Sequence, residues 1–124
     1  MKRRPVEVRV SLPYTLDAAN KTLPLVRRIV DDLSHRYADW QDALSKFEYA
    51  TTRSSAHAPD PEADGLEQAA KKLAVEIDSY VAELAELGIE CIDFATGLIE
   101  FPGEEAPFLW QRGDAVVGVS SEQD

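Results

Sequence analysis

Near the C-terminal end of this 124-residue chain, Glu100, Trp110, Arg112 and Asp114 are the residues whose types and spacing most resemble a site. Two carboxylates can work as an acid and base pair or hold a divalent cation through oxygen ligands. Trp110 and Arg112, two positions apart on a strand, share one face while Gln111 takes the other. Asn20 or Asp17, at a helix start, would lie above them. The competing reading is that Glu100 and Asp114 are solvent-facing or turn residues, that Asn20 closes a helix end, and that Trp110 is core. It is the simpler one, because 23 Asp+Glu make paired carboxylates common in this chain.

Other reactive side chains point to less. His35 falls on the helix face opposite an apolar seam, and His57 sits among small polar residues with no Cys or second His nearby. A zinc site needs more ligands than these. Cys91, the single Cys, excludes an internal disulfide and reads as a half-buried structural thiol rather than a nucleophile. Arg112-Gly113-Asp114 spells an adhesion tripeptide, but a hairpin turn explains it. The sequence contains no Gly-rich phosphate loop, nucleophile elbow, zinc-protease helix or Cys-x-x-Cys pair. Neither a catalytic residue nor a metal ligand set is identified, and the cofactor is unknown.

The elements that must position these residues follow from periodicity. Val6, Val8, Val10 and Leu12 alternate with Glu7, Arg9 and Ser11, which predicts an N-terminal strand over 6–12. From Leu16 through Ala19, Leu23, Val26, Val30, Leu33, Tyr37, Trp40, Leu44 and Phe47 the apolar spacing is 3-4-3-4, the seam of a helix packed lengthwise on a partner. Helix one is assigned to 15–50. Pro24 lacks the N–H that would bond the Asn20 carbonyl, so a break is expected near Pro24, with a short helical turn before it and Thr22 as the new cap. The alternative is one kinked helix. Residues 51–63 are small, polar and Pro-punctuated, a flexible loop. Asp64 and Glu67 resemble a capping box opening helix two, whose seam of Leu66, Ala70, Leu73, Ile77, Tyr80, Leu84 and Leu87 ends at Gly88. Two complementary seams joined by a loop predict an antiparallel hairpin.

Beyond Gly88 the apolar runs are short and separated by Thr96-Gly97, by 102–107 and by Arg112-Gly113-Asp114, which predicts a β-meander over 89–119 with 89–94 as a lead-in or weak strand. The fold class is α+β, a single domain over 1–124: a long antiparallel helical hairpin packed on a small antiparallel sheet, β-α-α-β-β-β if the N-terminal strand joins an edge. The distal helices would protrude beyond that sheet. Their flanks, with Tyr37, Trp40 and Phe47 on one helix and Leu66 and Leu73 on the other, then invite dimerisation.

Charge narrows the partners. Thirteen Lys+Arg against 23 Asp+Glu give a net charge of −10, which disfavours the phosphate backbone of nucleic acid and an anionic membrane surface. Residues 1–53 hold ten basic and seven acidic side chains and 54–124 hold three and sixteen, so the two parts carry +3 and −13. Charge pairing between segments or subunits would absorb part of that imbalance. No apolar run approaches the ~20 residues of a membrane span. Glu7 and Arg9 interrupt what an export signal would need after Met1-Lys2-Arg3-Arg4-Pro5, so a cytoplasmic protein is expected.

One family resemblance runs from Tyr14 to about Asp114. Tyr14-Thr15 with Ala19-Asn20 and Leu23-Pro24, then Gly97-Leu98-Ile99-Glu100-Phe101-Pro102, then Trp110 with Gly113-Asp114, resemble the domain of unknown function 2203 family of small bacterial and archaeal proteins. That pattern has an aromatic-Thr-x-x-x-Ala-Asn-x-x-Leu-Pro start, a long hairpin, a Gly-Leu-Val-Asp-Phe-Pro segment and a Cys-Trp-x-x-Gly-Glu segment followed by a Trp-His pair. This chain has Glu100 for the family's Asp, Asp114 for its Glu and Leu109 for its Cys, and it lacks the Trp-His pair. The resemblance implies a fold and a candidate surface, and no activity. Two functions are therefore expected. The first is a non-enzymatic protein that self-associates, a dimer being favoured, or docks a protein partner through the hairpin. The alternative is a small-molecule or divalent-metal site on the sheet around Glu100, Trp110 and Asp114, with Asn20 and Arg112 as further ligand-binding candidates.

Overall fold

The computed structural model describes residues 13–53 and 61–119. The strand expected over 6–12 lies outside the described residues, as does 54–60 of the expected loop.

Helix α1 spans Leu16–Arg53. Thr15 caps it, its Oγ1 accepting from Ala18 N–H at 3.0 Å, and Asp17 adds an acidic side chain to the first turn where the helix dipole favours one. The helix is continuous through Pro24, against the expected break and separate first turn. Pro24 is exposed while Ala19, Leu23, Val26, Ile29 and Val30 are buried on the other side, so tertiary packing on both sides of the proline outweighs the missing hydrogen bond. Thr22 is consequently mid-helix, its hydroxyl donating to the Ala18 carbonyl at 2.9 Å. Helix α2 spans Pro61–Glu86 and so begins three residues before Asp64, which sits in its first turn and not at the cap. Pro61 needs no hydrogen-bonded N–H in that opening position.

Gly88 stops α2 as its sequence position suggests. Its φ is 79°, Ile89 N–H donates to the Leu84 carbonyl and Gly88 N–H to the Ala85 carbonyl, each at 2.9 Å. This is the Schellman arrangement, and its accompanying apolar contact is supplied by Leu84 and Ile89, both core residues.

Four antiparallel strands follow in the order β1-β2-β3-β4: β1 Glu90–Asp93, β2 Leu98–Phe101, β3 Phe108–Trp110 and β4 Gly118–Val119. The lead-in segment is thus a full strand. The last strand is shorter than the 115–119 run, because turn and bend conformations occupy most of 112–116. The described order is α-α-β-β-β-β, an α+β hairpin on a small sheet. Ile99, Phe101 and Trp110 point to the helices and pack with Val26, Val30, Leu33, Leu84, Ile89 and Val117 into one core. Burying a side chain of that size stabilises by roughly 1.5–3 kcal/mol. Tyr14 joins the entry of α1 to the sheet: its N–H donates to the Pro102 carbonyl, its hydroxyl donates to the Leu87 carbonyl at 2.7 Å, and its ring meets Phe101 edge-on.

Candidate functional site

Two places were expected to carry function, and the structure treats them differently. On the sheet, register separates the proposed cluster. Ile99 pairs with Trp110 and both face the helices; Glu100 pairs with Leu109 on one side and Glu90 on the other, so its side chain is on the outer face. Glu100 and Trp110 therefore lie on opposite faces of the sheet. Trp110 is 1% exposed, and its Nε1–H donates to the Asp114 carbonyl at 2.9 Å. Asp114 Oδ2 accepts from Gln111 N–H at 3.1 Å, closing the 111–114 turn from the other side. Arg112 does share the helix-facing side with Trp110: its Nε–H donates to Asp31 Oδ1 of α1 at 3.0 Å. Its stem crosses Gly97, where a Cβ would sit 2.4 Å from Arg112 Cγ. Gly97, at φ 72°, is required by that approach and by its left-handed backbone.

Asn20 is a clamp. Its Oδ1 accepts from Val117 N–H at 2.8 Å, and its Nδ2 donates to the Leu16 carbonyl at 3.1 Å and to the Val117 carbonyl at 3.4 Å. Asn20, Trp110, Arg112 and Asp114 thus fasten the β3–β4 connection to α1. The adhesion tripeptide is engaged in the same way, with both charged side chains partnered. Asp17 pairs with Lys21 at 3.3 Å on the surface. Among the described residues, no three His, Cys, Asp or Glu side chains gather as metal ligands. Cys91 on β1 is half-buried, and burial pushes its thiol up to about 11, so it is protonated at neutral pH. His35 is exposed on α1; His57 lies outside the described residues. Asp31, the partner of Arg112, has no sequence signal beyond following the seam residue Val30.

The hairpin offers a real concavity. In its distal half the buried line consists of small residues, Ala43 and Ala50 on α1 and Ala63 and Ala70 on α2, followed by Ile77 and Leu84. Arg36 bridges the helices at the near end, its Nε 2.9 Å from Glu76 Oε1. With alanines taking the contact line, the large seam residues of α1 stand beside it. Trp40, Leu44 and Phe47 line an open groove of about 290 Å³ whose other wall is Glu67, Ala70, Lys71 and Ala74. It continues toward the sheet as a hollow of about 190 Å³ lined by Tyr37, Trp40, Ala74, Ile77, Asp78 and Phe94. Tyr37 stacks on Trp40, with ring centroids 5.7 Å apart, and meets Phe94 edge-on at 5.5 Å.

The reason for the groove is the reach of the sheet. Val26, Val30 and Leu33 are covered by it, Tyr37 is met by Phe94, and the same helical stripe runs on through Trp40 to Leu44 and Phe47, in a groove that no described sheet residue lines. Of the five interface candidates, Tyr37, Trp40 and Phe47 share this groove. Leu66 and Leu73 do not: at 100° per residue they fall on the other flank of the Ala63, Ala70, Ile77 line from Glu67, Lys71 and Ala74.

A model of the family described as uncharacterized conserved protein (DUF2203) matches residues 13–120. The chain belongs to this family. The match takes in the Thr15 cap, the Asn20 clamp, both helices and the whole sheet, so the family resemblance from Tyr14 onward holds over almost all the described structure. No curated protein and no solved structure matches the chain. No helix is long and apolar enough to cross a membrane, among the described residues.

Proposed function

We propose that this protein is a non-enzymatic, cytoplasmic single-domain protein that works by docking a protein surface, its own or another's, on the hairpin groove. One observation carries the reading: the apolar stripe of α1 outruns the sheet that covers it, leaving Trp40, Leu44 and Phe47 half-exposed side by side. Contiguous apolar surface of this kind on a small protein marks an interaction site. Aromatic side chains in such a hollow are the usual anchors of an interface. The partnered state of Asn20, Trp110, Arg112 and Asp114 supports assigning the sheet cluster to folding.

Site-specific photo-crosslinking in the expressing cells tests it. A photoreactive amino acid at Leu44 is expected to give a covalent protein adduct, and the same residue at Leu109 on the outer sheet face is not. Absence of any adduct from position 44, or equal capture at both positions, overturns the reading.

A further inference from the structure

We propose that the occupant of the groove is a second copy of this chain, placed about a two-fold axis so that two hairpins close into a four-helix bundle. The proposal rests on the docking reading above and names its partner. The groove is self-complementary in shape. Its α1 wall is a ridge of Trp40, Leu44 and Phe47, and on its α2 wall Ala70 and Ala74 form a shelf bordered by Glu67 and Lys71. An antiparallel copy sets each ridge on the other's shelf, as large side chains fill holes between small ones in helical bundles. A two-fold contact requires that one patch supply both halves of the fit, and this one does.

The charges at the rims agree. Lys71 borders the shelf, and Glu48 follows Phe47 at the exposed end of the ridge. A two-fold rotation brings each cation toward the other copy's carboxylate. Among the described residues of one chain, Lys71 pairs with Glu67, at 3.5 Å and in solvent. Exposed pairs of that type contribute little, so Lys71 is free to exchange partners.

Sedimentation equilibrium of the purified full chain tests the proposal, with circular dichroism to confirm that each variant is folded. The wild type is expected to dimerise with concentration up to about 100 μM, where a micromolar dimer is almost fully assembled. Removing the ridge (Trp40→Ser with Phe47→Ser) or filling the shelf (Ala74→Leu) is expected to weaken association at least about tenfold. Lys71→Glu and Glu48→Lys are each expected to weaken it, and the double swap to restore it. A wild-type monomer overturns the second-copy proposal, and an adduct from position 44 to a different protein then preserves the docking reading. A dimer indifferent to the ridge and shelf variants overturns the second-copy proposal as well, the position-44 adduct again deciding the docking reading. Single swaps that the double swap fails to rescue overturn the two-fold arrangement.

Discussion

Asn20 shows how a residue that resembles a ligand-binding group can be spent on folding. Its amide holds both the N–H and the carbonyl of Val117 against α1 from 97 positions away in sequence. Asn20→Ala leaves that N–H without its partner, and the loss is expected to be about 1–3 kcal/mol in denaturant unfolding. Cys91 is the second case. The folded chain holds the thiol proton more tightly than the unfolded chain, the value rising from 9.0 to about 11 through burial. The stabilisation is therefore complete below pH 9 and is lost as pH rises from there through about 11. Cys91→Ser is expected to flatten stability over that interval, and alkylation of wild-type Cys91 at pH 8 to be slower than in the denatured chain. The residue types at positions 20, 91, 110, 112 and 114 were legible as polar or reactive in the sequence. Their partners were not, because Val117, Asp31 and the Asp114 carbonyl become neighbours only through the fold.

At the scale of the element, α1 is the informative one. Its 3-4 spacing predicts the helix and its extent, while Pro24 argues for two pieces. The structure has one, because the buried stripe continues on both sides of the proline. Pro24→Ala restores an N–H to the Asn20 carbonyl and is expected to stabilise by up to about 3 kcal/mol in denaturant unfolding. No gain would show that the Asn20 carbonyl is already satisfied. The capping box at Asp64 misplaces the start of α2 by one turn for a related reason: Pro61 at the head of a helix is favourable, whereas in a run with Pro59 it reads as loop. Gly88 stops α2 where its position predicts, since a left-handed stop needs only local backbone freedom.

Across the whole molecule, the −13 and +3 parts are joined by ion pairs that run in both directions. Arg36–Glu76 joins a cation of the first part to an acid of the second, Arg112–Asp31 runs the opposite way, and Lys21–Asp17 and Lys46–Asp42 stay within α1. A net charge of −10 adds self-repulsion to the folded state. Raising NaCl from about 20 to 500 mM shortens the screening length to a few ångströms and is expected to raise Tm. A fall in Tm would mean that attraction between the parts dominates. The sequence by itself determined the two helices, the strand-bearing C-terminal third, the Gly88 stop and the family pattern. All of these depend on periodicity or on backbone preferences within a few residues. Only the tertiary structure decided that α1 crosses Pro24 intact, that Glu100 and Trp110 part to opposite faces, and that the sheet ends before Trp40. Those outcomes depend on strand register and on how far one packed layer reaches over another, which no local spacing encodes.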